Sequence, residues 1–76
     1  MAKVGAHRRD QVMKAILLFI GDTRHPSLRF EKIKSSPGLS TIRAHSGDRI
    51  VLQHVSSNRY AAIDVGTHTY IYNEYG

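Results

Sequence analysis

The turn Ser35-Ser36-Pro37-Gly38 divides this chain into two halves with different periods. Before it, apolar residues recur at helical spacing; after it, they alternate with polar ones as strands require. A helix first and strands afterwards, segregated along the chain, predicts an α+β fold in which a small antiparallel meander packs on one or two helices. With 76 residues, 41% of them hydrophobic, the chain can enclose one core and no second, so residues 1–76 read as a single domain. Asp10 is a plausible N-cap, and Val12, Ile16, Phe19 and Ile20 share one stripe with Met13 and Leu17 beside it until Gly21 supplies a stop. Ala15 and Leu18 widen that stripe, so most of the helix girth is expected to lie under a sheet or a partner. Residues 1–9, with Lys3, His7, Arg8 and Arg9, read as a flexible tail or a very short strand. Residues 27–34 read as extended because Leu28 and Phe30 alternate, although Phe30 and Ile33 also fit a helical turn.

Three strands follow the turn, over residues 39–45, 49–55 and 60–65. Ile42 and Ala44, Ile50 and Leu52, and Ala61, Ile63 and Val65 form the apolar sets for the core. A three-residue loop, Ser46-Gly47-Asp48, would pair His45 with Arg49 and Arg43 with Val51. The next connector would set Val55 opposite Tyr60 and Asp64 opposite Val51. In this register the outer face displays Arg43, His45, Arg49, Gln53 and Asp64, a polar and mostly basic surface.

Eleven Lys and Arg against six Asp and Glu leave a formal charge of +5, which favours an acidic partner. There is no cysteine, so disulfides, thiolate nucleophiles and Cys-based zinc sites are ruled out. No pair of histidines has ligand spacing, the acids are scattered, and neither a Gly-rich phosphate loop nor a nucleophile elbow is present. No metal or other cofactor is expected. The longest apolar run, residues 15–20, is far short of the roughly twenty residues of a membrane span, so a cytoplasmic protein without a membrane partner is the expectation.

What remains is phosphodiester chemistry on RNA, whose own 2′-hydroxyl can attack the adjacent phosphate. Arg43 and Arg49, on neighbouring strands of one face, could hold a phosphate with two guanidinium forks. Asp64 lies diagonal to Arg49 and reads as an ordinary cross-strand ion pair. His68, just beyond Gly66, could give or take a proton at the end of the arginine face, and Tyr70 or Tyr72 could stack on a base or orient a proton. His45 shares the face of Arg43 at a hairpin tip, whereas His7, His25 and His54 read as bystanders, His54 on the core side.

The runs His25-Pro26-Ser27-Leu28-Arg29-Phe30-Glu31-Lys32-Ile33-Lys34, Gly38-Leu39-Ser40-Thr41-Ile42-Arg43, Asp48-Arg49-Ile50-Val51 and Asp64-Val65-Gly66-Thr67-His68 resemble, in order and spacing, the RelE/ParE superfamily of bacterial toxins. The resemblance spans residues 15–72. It implies a ribosome-associated endoribonuclease that cuts mRNA without metal, together with a cognate acidic antitoxin. It places Arg43 and Arg49 on residues that stabilise the scissile phosphate, His68 on an acid–base position, Tyr72 on the tyrosine that often follows, and Glu31 on the carboxylate base of some members. Lys32 and Lys34 match the basic stretch that tracks the RNA backbone, and His45 and Tyr70 join them as RNA-binding candidates. The chain also departs from the family pattern. Members usually begin with a strand and a helical hairpin, so the N-terminal strand is expected to be missing, or replaced by a second copy in a homodimer. Thr41 stands where some nuclease members are basic, and the chain is expected to end without the C-terminal helix that sometimes follows. A gyrase-directed toxin of the ParE branch and a non-catalytic relative are the alternative readings.

Overall fold

The computed structural model describes residues 6–44, 47–57 and 59–75. Helix α1 (Ala6–Gly21) is followed by a single 3-10 turn (Pro26–Leu28), then β1 (Glu31–Lys32), β2 (Leu39–Arg43), β3 (Arg49–Ser56), β4 (Arg59–Gly66) and helix α2 (His68–Tyr75). The strands form one antiparallel sheet in the order β1-β2-β3-β4, so the α+β expectation holds.

α1 begins four residues before Asp10, and residues 6–9, expected in a tail, are helical. Arg8 explains the extension: its Nε donates to Asp48 Oδ2 at 3.0 Å and its second guanidinium nitrogen meets Oδ1, a fork on a carboxylate in the β2–β3 connection. The bond to Asp48 raises the Arg8 guanidinium further above its usual value. Residues 27–34 are extended only at Glu31 and Lys32. Ahead of them Pro26 starts a helical turn, with His25 Nδ1 accepting from the Ser27 N–H at 3.2 Å, and Arg29 turns out of it at φ 49°. His25 is therefore a turn cap.

The core lies between α1 and the sheet. Val12, Ala15 and Phe19 meet Leu28, Ile42, Ala44, Ile50, Leu52 and Val65. Burying these side chains is the main source of stability in so small a domain. The stripe is narrower than expected. Met13, Leu17, Leu18 and Ile20 on the far side of α1 are 49, 63, 36 and 71% exposed, so the chain's own sheet covers one face of the helix only.

Two details of register differ from the expectation. The β2–β3 loop lies one residue earlier, because Ala44 N–H bonds to Asp48 O at 2.8 Å and Gly47, at φ 93°, takes the left-handed last position of the loop. Arg43 therefore faces Arg49 and Thr41 faces Val51. On the other side Val51 does pair with Asp64, but a bulge at Ile63 gives Ala62 the place opposite Leu52 and leaves Ile63 41% exposed. A second irregularity sets His54, not Val55, opposite Tyr60.

The largest difference is α2. The chain does not stop after the last strand; it folds a helix back over the outer face, packing on β3 and β4. Val51, alternating outward, is consequently fully buried, and Ile71 of α2 is 5% exposed. No helix among the described residues is long and apolar enough to cross a membrane. Ile50→Ala, at the centre of the core, should cost about 2–5 kcal/mol. A domain of this length holds roughly 4–11 kcal/mol in all, so urea denaturation should show the midpoint falling steeply.

Candidate functional site

α2 shapes the site, and three local features shape α2. Thr67 Oγ1 accepts from the Tyr70 N–H at 3.1 Å, an N-cap that starts the helix one residue beyond Gly66. Asp64, 6% exposed, accepts hydrogen bonds from Tyr70 Oη at 2.7 Å and Tyr75 Oη at 2.8 Å and from the Val65 N–H at 2.8 Å. At the far end, Ser35 Oγ donates to the Tyr75 carbonyl at 2.7 Å, binding the helix to the central turn. Gly66 makes the clamp sterically possible: a Cβ there would overlap Cδ2 of the Tyr70 ring. Burial pushes the Asp64 carboxyl up, but the two tyrosine hydroxyls and the backbone N–H outweigh it and hold the group below its ordinary value. The same bond to Asp64 pushes Tyr70 up to about 12, and Tyr75 also rises.

Between α2 and the sheet lies an open cleft of about 150 Å³, lined by Glu31, Lys32, Ile33, Thr41, Arg49, His68, Ile71, Tyr72 and Tyr75. Each element supplies its part through its register. Arg49 starts β3 and lies opposite Gly66, whose missing side chain leaves that neighbourhood to the Tyr70 ring. His68 and Tyr72 stand one turn apart on α2, ring centroids 6.3 Å apart. Glu31 sits opposite Thr41 on the short edge strand and faces the cleft from the other side.

Of the residues singled out in the sequence, the fold thus gathers Arg49, His68, Tyr72, Glu31 and Lys32 around one cleft. Arg43 does not line it. Although Arg43 is the cross-strand partner of Arg49, it lines two clefts beside α1 and the 3-10 turn, with Lys14 and Ser27 among its neighbours. Like charges directly opposite each other repel, which favours their divergence. Lys34 lines a separate cleft with Phe30, His54 and Tyr60. Tyr70, a candidate for base stacking, has its hydroxyl committed to Asp64, which in turn is the anchor of α2 as well as a member of the outer face. His45 lies outside the described residues. Tyr75 was not singled out, and the readable signal for its role was the Thr67 cap, which marks residues 68–75 as a helix able to return aromatic rings over the sheet.

Among the described residues no group of three or more His, Asp or Glu side chains is placed to hold a metal ion. No family model, curated protein or solved structure matches this chain. The RelE/ParE resemblance therefore rests on its four short segments alone.

Two outcomes follow from the clamp. Gly66→Ala should expel the Tyr70 ring and destabilise the fold by about 1–3 kcal/mol, read as lost near-ultraviolet dichroism of the tyrosines and a lower urea midpoint. The pH dependence has a defined sign. The contribution of Asp64 is present above the ordinary carboxylate value of 3.8 and fades as pH falls through its lowered native value. That of Tyr70 is complete below 10.0 and is lost as pH rises through about 12. Ultraviolet titration should show a late tyrosinate step that moves to lower pH in Asp64→Asn.

Proposed function

We propose that the chain is a RelE/ParE-type toxin that cuts mRNA as an endoribonuclease, bound on the ribosome and neutralised by an acidic antitoxin. The observation that carries this reading is the convergence of a guanidinium, an imidazole and a carboxylate, from three different elements, on one small open cleft: Arg49, His68 and Glu31. These are the three groups that cleavage through the RNA 2′-hydroxyl needs. Glu31 takes the proton from the 2′-hydroxyl as its oxygen bonds to phosphorus. Arg49 and Lys32 stabilise the added negative charge. The bond from phosphorus to the 5′-oxygen breaks, and His68 delivers a proton to that oxygen. The products are a 2′,3′-cyclic phosphate and a free 5′-hydroxyl. Tyr72, 66% exposed on the same helix face as His68, offers its ring to a neighbouring base.

Arg43 stands apart from this set and serves as a more distant phosphate contact. The antitoxin is assigned to the exposed apolar side of α1, where Leu17 and Ile20 offer a helix-sized stripe and the net charge of +5 attracts an acidic chain.

Purified protein should cleave free RNA in the presence of EDTA, or mRNA on translating ribosomes kept intact in magnesium. A single 2′-deoxy substitution at the cut site should abolish the reaction. Arg49→Ala and His68→Ala should each slow it 10²- to 10⁴-fold while leaving the far-ultraviolet dichroism unchanged; Arg43→Ala should have a smaller effect. Intact transcripts under both conditions would refute the reading, and inhibition of gyrase supercoiling with RNA left whole would replace it with the ParE-type activity.

A further inference from the structure

A second cleft, of about 520 Å³, opens on the α1 side of the sheet and shares Lys32 and Ile33 with the cleft above. Its walls combine three cations, Arg24, Lys32 and Lys34, with three rings, Phe30, His54 and Tyr60, and include no Asp or Glu among the described residues. The rings form a built platform. Phe30 lies parallel to the buried Phe19 at 5.9 Å, and Tyr60 meets Phe19 and Phe30 edge-on at 5.1 and 6.4 Å. His54, exposed at the rim, tilts over Tyr60 at 4.9 Å, and the Arg24 guanidinium lies 5.6 Å from the centre of the Phe30 ring. Aromatic packing to a core residue restricts the platform, and the cation above Phe30 adds a fixed positive group at its edge.

A ligand that satisfies both halves of this surface must be planar and anionic together. Single-stranded nucleic acid has that combination, with unpaired bases to stack and phosphates to neutralise. Duplex does not, because its base faces are already stacked on one another. The geometry points to a nucleotide-binding subsite in which a base of single-stranded RNA stacks on His54 and Tyr60 while its flanking phosphates pair with Lys32, Lys34 and Arg24. Lys32 lines this cleft and the Arg49 cleft alike, so one strand can engage both. Choosing RNA over DNA rests on the proposed cleavage; the stacking and charge pairing do not. The site also gives His54, expected to be a bystander, a role in recognition.

The test uses a fluorescent single-stranded 2′-O-methyl RNA, which binds but cannot be cut, followed by anisotropy on the full chain. His54→Ala should weaken binding about 5- to 100-fold without changing the salt dependence, and His54→Phe should restore it. Lys32→Ala with Lys34→Ala should reduce the slope of log affinity against log salt by about 1.4. A duplex of the same sequence should bind less tightly. Wild-type affinity in His54→Ala, no rescue by His54→Phe, or equal binding of duplex would each overturn the subsite. Failure of the cleavage reading looks different: ordinary RNA stays whole while binding of the 2′-O-methyl strand still follows His54.

Discussion

Everything on the outer side of the sheet depends on one buried carboxylate. Asp64 places Oδ2 beneath α2, where the Tyr70 and Tyr75 hydroxyls both donate to it. A charged group removed from water is tolerated only when hydrogen bonds replace its solvation, and here the two tyrosine hydroxyls and the Val65 N–H contribute to that. The arrangement is reciprocal. The tyrosines make burial of the carboxylate acceptable, and the carboxylate holds an eight-residue helix that would not persist alone. Gly66 completes it by leaving space for the Tyr70 ring.

The clamp has a consequence for function. With α2 fixed, His68 and Tyr72 line the same cleft as Arg49, and the edge strand adds Glu31 and Lys32. These side chains come from three stretches far apart in sequence, β1, β3 and α2, so the cleft is a property of how the helix returns. The sheet then separates two environments. One side carries the small cleft with its guanidinium, imidazole and carboxylate; the other carries a ring platform flanked by cations. Lys32 belongs to both, since a two-residue edge strand is thin enough for a long side chain and its neighbours to border either opening.

Much of the architecture was legible. Alternation after the central turn marked the three long strands, because half-buried sheets leave a period of two in the chain. The stripe through Val12 and Phe19 marked α1, and those residues are in the core. Arg49 and His68 could be singled out by their positions beside a hairpin and a glycine exit. Other features were not legible, for identifiable reasons. The start of α1 depends on Arg8 reaching Asp48, forty residues away. The bulge at Ile63 leaves the Val51–Asp64 pair intact while moving an apolar side chain out of the core, so apolar alternation through Ala61 and Val65 pointed to the wrong inner residue. The separation of Arg43 from the Arg49 cleft depends on where each long side chain travels from a shared register position, which backbone periodicity does not encode.

The class of fold, a helix before a meander, and the main apolar residues that drive it together can be read from local sequence pattern. Those signals are local, since hydrophobic spacing and turn residues act within a few positions of one another. Only the assembled fold settled that α2 lies back over the sheet, that Val51 is buried beneath it, and that five candidate residues meet while Arg43, Lys34 and Tyr70 go elsewhere. Each of those outcomes requires a long side chain to find a partner on another element. The free energy of such a pairing exists only after the chain has folded, so no spacing within the sequence can announce it.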